Sequence, residues 1–130
     1  MIIENPKIIY AEDDLDAADL IKYSLEKEGF KLIHFPDGRD VANSVQSEKP
    51  HLVLLDYKMP HKDGITVLRE LKLNPETSHI PVVMITALSK MDEVKSILDI
   101  GVEDFIMKPF LPHELVPRIR KILNGMKKLR

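Results

Sequence analysis

The residues best suited to chemistry stand at four points of the chain, each at the end of a short run of strand-forming residues. The acidic pair Glu12-Asp13 follows KIIYA, Asp56 follows HLVLL, Thr86 ends PVVMIT and Lys108 follows DFIM. Clustered carboxylates raise one another's pKa and cost stability unless a cation lies among them. An oxygen-only group with one or two good carboxylates suits Mg²⁺, whereas a lysine supplies a point charge for an anion and a threonine supplies a hydroxyl donor. Brought together, these residues predict a magnesium site beside a phosphoryl site, with Asp56 as the candidate nucleophile.

Asp56 lies in the most informative stretch, HLVLLDYKMPHKDG, residues 51–64. Its apolar run shows no alternation, which is typical of a central strand of a parallel sheet that is buried on both faces. The following Met59-Pro60 and Asp63-Gly64 are turn sequences. An alternative is that Asp56 merely caps the next turn, where aspartate is common. Likewise, Thr86 could be an ordinary strand threonine and Lys108 a solvated lysine. The rest of the chain has to decide between these interpretations.

Strand and helix patterns alternate five times along the sequence. The predicted strands are Lys7–Ala11, Lys31–Phe35, His51–Leu55, Pro81–Thr86 and Asp104–Met107. The predicted helices are Leu15–Glu28, Arg39–Glu48, Gly64 to about Leu73, Lys90–Ile100 and Pro112 to about Met126. Right-handed crossovers through helices make the sheet parallel, with helices on both faces. The sequence therefore predicts a doubly wound α/β fold in which the four points of chemistry meet at one edge.

The apolar periodicity of the helices predicts which of their residues face the core. On the first helix we expect Ala17, Leu20, Ile21 and Leu25 to be inward. On the fourth helix we expect Val94, Ile97 and Leu98 to be buried. Pro117 conflicts with the last helix because it lacks a backbone donor, so that helix is expected either to kink there or to begin late.

Length and composition restrict the class of protein. The 130 residues, 44% hydrophobic and 31% charged, predict one domain over residues 1–130. Because there is no cysteine, disulfides and thiolate metal sites are excluded, which fits a reducing compartment such as the cytoplasm. The net charge of −2 argues against bulk electrostatic binding to nucleic acid. The sequence has neither a signal peptide nor an apolar run near the roughly 20 residues that span a bilayer, so no membrane association is expected.

Taken with their order, these motifs resemble the receiver domains of two-component response regulators, with the single-domain chemotaxis response regulator as the best-known type. The resemblance covers essentially the whole chain. The family's acidic pair matches Glu12 and Asp13, and its phosphoacceptor matches Asp56 in LLDYKMPHKDG. Its hydroxyl residue matches Thr86 in ITAL, its lysine matches Lys108 in MKPF, and its switch aromatic matches Phe105. The resemblance implies a flavodoxin-like (βα)5 fold with strand order 2-1-3-4-5.

The resemblance also implies a function. A sensor histidine kinase or phosphotransfer protein would donate a phosphoryl group from phosphohistidine to Asp56, and the domain would catalyse only its own phosphorylation and dephosphorylation. Mg²⁺ would be held by Asp13, Asp56 and the backbone carbonyl of Lys58, with Glu12 reaching it through water. The Lys108-Pro109 peptide would be cis. Thr86 and Phe105 would then switch the face of the fourth helix, fifth strand and last helix for a downstream partner or a homodimer.

Three departures from the common family pattern and three rivals accompany this interpretation. The first acid is Glu12, Phe105 lacks the hydroxyl of the commoner tyrosine, and Lys58 places an unusual cation near the acceptor.

The rival functions are a haloacid-dehalogenase-type phosphatase that uses the Asp14-Leu15-Asp16 pattern, a flavodoxin-like nucleotide binder and a receiver domain that acts only as a docking module. The acidic segment EDDLD would repel phosphate, against the nucleotide binder. The five histidines do not have the spacing of metal ligands. The sequence does not identify the kinase, the downstream target or the oligomeric state, nor does it say whether the chain is part of a longer regulator.

Overall fold

Strands and helices alternate in the computed structural model, which describes residues 5–87 and 90–128. The strands are β1 Lys7–Ala11, β2 Lys31–Phe35, β3 Leu52–Asp56, β4 Val82–Thr86 and β5 Asp104–Met107. The helices are α1 Leu15–Lys27, α2 Val41–Glu48, α3 Gly64–Leu73, α4 Met91–Ile100 and α5 Leu115–Lys128. A 3-10 turn, Pro112–Glu114, precedes α5. The element order agrees with the sequence prediction, and most boundaries move by one or two residues, as element ends commonly do.

All the strand pairs are parallel, and the sheet has the order β2-β1-β3-β4-β5. The predicted doubly wound fold and strand order are therefore confirmed. Because every parallel strand has its carboxyl end at the same edge of the sheet, this topology brings the polar residues at the strand ends to one edge. Asp56 is the last residue of β3 rather than the first residue after it, and it stands opposite Ile85 of β4.

Two apolar clusters cover the two faces of the sheet, as the alternation of side chains along a strand requires. From β1, Ile8 and Tyr10 pack in a cluster with residues of α1 and α5. Ile9 and Ala11, which point the other way, pack in a second cluster with residues of α2, α3 and α4. The central strands β3 and β4 are buried along their full length, which explains why their sequences show no alternation.

Two of the residues predicted to be inward are exposed, which corrects the sequence prediction. Leu20 of α1 and Leu98 of α4 are each 55% exposed. On α1 the buried residues are Ala18, Ile21 and Leu25, spaced so that they form one narrow stripe, and Leu20 falls outside it. On α4 only Ile97 is fully buried.

The sequence predicts that Pro117 either kinks the last helix or makes it begin late, and the late start is the outcome in the structure. The helix starts at Leu115, so Pro117 is its third residue. The first four backbone N–H groups of a helix have no partner within the helix, and the missing donor of proline therefore removes no hydrogen bond there. Of the helices that the structure describes, none is both long enough and apolar enough to cross a membrane.

Candidate functional site

The carboxyl edge of the sheet holds a cavity of about 320 Å³, and the residues predicted for chemistry lie around it. Its lining residues are Glu12, Asp13, Asp14, Asp56, Lys58, Thr86, Ala87 and Lys108. Glu12 and Asp13 follow β1, Asp56 ends β3, and Lys108 follows β5. The fold thus brings together side chains that are up to 96 residues apart in the chain.

Lys108 joins the two buried acids of the site. Its ammonium Nζ donates to Asp56 Oδ2 at 2.9 Å and to Glu12 Oε1 at 3.1 Å. Asp56 is 5% exposed and Glu12 is 1% exposed, so this cation compensates carboxylates that have lost most of their water. Burial lowers the pKa of Lys108, but the hydrogen bonds and charges of Asp56 and Glu12 together outweigh it and leave the pKa raised. The lysine is therefore a permanent positive charge at neutral pH.

Glu12 carries an electrostatic cost at this site. Burial raises the pKa of its carboxyl group, the neighbouring Asp56 raises that pKa further, and Lys108 offsets only part of the effect. The site therefore favours additional positive charge. A bound divalent cation would relieve this repulsion, because an opposite charge close to a carboxylate stabilises its ionised form.

The donor set fits Mg²⁺. Glu12, Asp13 and Asp56 each offer one carboxylate oxygen, and these atoms lie within 4.8 Å of one another. Carboxylate and carbonyl oxygens are the ligands that Mg²⁺ takes in proteins, usually while it keeps several waters. Asp13 is exposed, so one side of the group is open to solvent. Lys58, whose backbone carbonyl the family resemblance implies as a further ligand, lines the same cavity.

The backbone around Asp56 is held by a close approach of α3. Tyr57 N–H donates to Ile85 O at 2.9 Å, and Gly64 N–H donates to Tyr57 O at 2.7 Å. A Cβ at Gly64 would collide with the carbonyl oxygen of Asp56, so only glycine fits there. Asp63 begins the helix, since its side chain accepts from Thr66 N–H at 2.9 Å. The sequence predicts a turn at Asp63-Gly64 but gives no sign of this contact with Asp56.

Two further residues that the sequence left unassigned hold Glu12. Tyr10 Oη donates to Glu12 Oε1 at 3.4 Å, and His34 Nε2 lies 2.7 Å from the Glu12 carbonyl oxygen. Burial raises the pKa of Tyr10, as do the charges of Glu12 and Asp56, so its phenol stays neutral and can donate. The i to i+2 spacing of Tyr10 and Glu12 was a usable signal for their contact. No local signal exists for His34, which depends on the pairing of β1 with β2.

The two predicted switch residues lie at different depths. Thr86 is buried and lines the acidic cavity, and Lys108 N–H donates to its backbone oxygen at 2.8 Å. Phe105 is half-buried on β5, opposite Met84 of β4, and packs against the cluster that contains Ile97. Phe105 is also among the residues around a surface cavity of about 610 Å³ between β5 and α5. The Lys108-Pro109 peptide is cis, as the resemblance implies.

Comparison with known proteins identifies the family. The family model described as the response regulator receiver domain matches residues 8–120. The chain belongs to the response regulator receiver domain family. This receiver domain is similar to the signal receiver domain of a signal transduction histidine kinase from Syntrophus aciditrophicus. The two are 33% identical, the alignment covers 94% of this chain and 92% of that one, and the TM-score is 0.87.

Two other solved structures resemble this receiver domain. The BeF3-activated N-terminal receiver domain of RstA from Klebsiella pneumoniae is 34% identical, over 90% of this chain and 97% of that one, with a TM-score of 0.82. A CheY-like response regulator receiver domain protein from Methanospirillum hungatei is 26% identical, over 96% of this chain and 98% of that one, with a TM-score of 0.87. In each comparison the alignment covers at least 90% of both chains.

Proposed function

We propose that this receiver domain accepts a phosphoryl group on Asp56, in a Mg²⁺-dependent reaction with the phosphohistidine of a sensor histidine kinase or phosphotransfer protein. The observation that carries the proposal is the position of Asp56: a buried carboxylate at the end of a central strand, 2.9 Å from the Lys108 ammonium and among two further acids. A carboxylate in such surroundings is a candidate nucleophile. Membership of the receiver domain family supports the same assignment.

In the proposed reaction an Asp56 carboxylate oxygen forms a bond to phosphorus while the nitrogen–phosphorus bond of the donor breaks. The donor imidazole leaves with the bonding electron pair. Asp13, Asp56 and the Lys58 carbonyl would hold Mg²⁺, with Glu12 reaching it through water, and the bound ion would supply positive charge to the transferred oxygens. Lys108 exchanges its carboxylate partners for a phosphoryl oxygen. Such catalysis consists mainly of positioning and charge compensation, as is general for phosphoryl transfer.

The proposal extends to the response of the domain. Phosphorylation adds about −1.5 to −2 charges and strong acceptor oxygens. The Thr86 hydroxyl would donate to one of these oxygens, and Phe105 would turn inward, which changes the face formed by α4, β5 and α5. A downstream protein, or a second copy of the domain, would bind this face. The protein would thus catalyse only the phosphorylation and dephosphorylation of its own Asp56 and would not turn over a separate substrate. We propose that residues 1–130 form one receiver domain and that it works in the cytoplasm.

The geometry disfavours the phosphatase rival. In that enzyme class the first acid of Asp14-Leu15-Asp16 would be the nucleophile. Here the Asp14 side chain is the N-cap of α1, accepting from Asp16 N–H at 3.1 Å and from Ala17 N–H at 3.2 Å. The Asp16 side chain is exposed. The pattern is therefore accounted for by helix capping, which aspartate commonly provides.

The test is incubation with acetyl phosphate and Mg²⁺, followed by measurement of the intact mass. We expect a gain of one phosphoryl group in the wild type, none in Asp56→Asn, and none in the wild type with EDTA. Asp19→Asn, which removes an exposed acid of α1, is the matched control and should be phosphorylated normally. A gain that persists in Asp56→Asn, or that needs no divalent metal, would contradict the proposal.

A further inference from the structure

Tyr10 is a buried tyrosine whose hydroxyl is directed at the acidic site. The residue is 1% exposed on β1, and its side chain points to the α1 and α5 side of the sheet. Residues two apart along a strand point to the same face, which brings Tyr10 Oη to 3.4 Å from Glu12 Oε1. By contrast, Tyr23 on α1 is 66% exposed. The phenol of Tyr10 thus ends at a candidate metal site rather than at solvent.

Glu12 is held at each of its polar groups. Its N–H donates to Phe35 O at 3.0 Å, and its carbonyl oxygen lies 2.7 Å from His34 Nε2. His34 stands opposite Tyr10 in the β1–β2 pairing, and the two rings have centroids 5.8 Å apart. The Glu12 carboxylate accepts from Tyr10 and Lys108 on Oε1 and, at 3.4 Å, from Asp14 N–H on Oε2.

Tyr10 and Lys108 both donate to Glu12 Oε1, but they differ in their other contacts. Lys108 is shared with Asp56 and, under the proposed function, moves to a phosphoryl oxygen. Tyr10 has its ring fixed in the core, so its hydroxyl stays beside Glu12 whichever partner Lys108 takes. Glutamate has one more rotatable bond than aspartate, and an unrestrained carboxylate at this position loses more freedom when it binds a metal. A fixed donor reduces that loss.

We propose that Tyr10 is a positioning residue, whose hydroxyl holds the Glu12 carboxylate ready for Mg²⁺. This inference rests on the proposed function, because it concerns the same metal site. His34 supports the arrangement by fixing the backbone of Glu12. Loss of a hydrogen bond to a metal-binding side chain typically weakens metal affinity 10- to 100-fold. Since the Tyr10–Glu12 contact is long, we expect the lower end of that range, about 10-fold.

The test compares Mg²⁺ dissociation constants, measured by NMR titration of the full chain. Tyr10→Phe removes one oxygen and keeps the buried ring, and we expect it to weaken Mg²⁺ binding about 10-fold. Tyr23→Phe removes an exposed hydroxyl and should bind like the wild type. In a Glu12→Ala background, Tyr10→Phe should have no further effect, because the group that it positions is gone. Equal affinities of Tyr10→Phe and wild type, or an undiminished effect in Glu12→Ala, would overturn the inference.

A measurement on the wild type does not depend on how the variants fold. With tyrosine labelled with ¹³C at Cζ, saturation with Mg²⁺ should shift the Tyr10 resonance and leave that of Tyr23 unchanged. A Tyr10 resonance that does not move would overturn the inference while leaving the phosphorylation of Asp56 intact. If the wild type itself binds no Mg²⁺, the proposed function fails, and this inference fails with it.

Discussion

The central strands and the edge strand of the sheet provide different kinds of support for the site. Every residue of β3 and of β4 is buried, whereas Ile106 is the one buried residue of β5. β3 and β4 have a strand on each side and helices on both faces, but β5 has a neighbour on one side alone. Asp56 and Thr86 end the buried strands, and Phe105 and Lys108 belong to the exposed margin. The proposed acceptor Asp56 and the hydroxyl residue Thr86 are therefore held in tightly packed strands, while Phe105 and Lys108, which are also proposed to respond, lie where packing is looser.

The register pair Met84 and Phe105 offers the largest test of this contrast. Met84→Ala in the buried strand β4 should lower the free energy of unfolding by about 2–5 kcal/mol, as core truncations to alanine do. Phe105→Ala should cost less, about 1–2 kcal/mol, because its ring is already partly exposed. Urea unfolding of both variants would measure the difference. An equal or larger loss for Phe105→Ala would show that the edge strand is packed as tightly as the centre.

A second test concerns the rigidity of the acceptor. Gly64→Ala should lower the free energy of unfolding by about 1–3 kcal/mol, since its Cβ would press on the Asp56 backbone, which cannot move aside. It should also slow phosphorylation by acetyl phosphate. The control is Gly125→Ala in α5, where the added methyl meets no atom within 4 Å. That change should stabilise the domain by about 0.5–1 kcal/mol through helix propensity. Neutral behaviour of Gly64→Ala in urea unfolding would show that the β3–α3 connection is adjustable.

A third test separates the acids that cost stability from those that supply it. Asp14→Ala removes the N-cap of α1 and should lower the free energy of unfolding by about 1 kcal/mol. The adjacent Asp13→Ala should have the opposite sign in EDTA, with a melting temperature higher by roughly 2 °C, because it relieves repulsion among the acids. It should also weaken Mg²⁺ binding. A lower melting temperature for Asp13→Ala in EDTA would indicate that this acid is structural rather than a metal ligand.

The last test concerns the proposed switch, in which a few kcal/mol of differential contact is enough to redistribute two conformations. NMR spectra recorded with and without beryllofluoride, an acyl-phosphate mimic, should show shifts that spread from Asp56 through Thr86 to Phe105 and α4. Thr86→Ala should confine those shifts to the metal site. The interior of β3 should change little in either protein. If Phe105 and α4 stay unchanged in the wild type, the looser margin does not act as the switch.

Much of this architecture follows from local spacing in the sequence. Unbroken apolar runs in β3 and β4 predict strands buried on both faces, and the alternation of strands with helices predicts a parallel sheet. Because parallel strands end at one edge, the grouping of Glu12, Asp56 and Lys108 could also be predicted without coordinates. Each of these inferences depends on periodicity within an element or on a general rule of topology.

Other features depend on how separate elements pack together, and only the tertiary structure shows them. Leu20 and Leu98 have the apolar character of core residues, yet each is 55% exposed, because burial depends on which elements pack against each helix. The contact of His34 with Glu12 exists because β2 pairs with β1 in one register, and the contact of Gly64 with Asp56 exists because α3 starts against the end of β3. Local spacing carries no information on these distances, since register and helix placement are set by packing of the whole core.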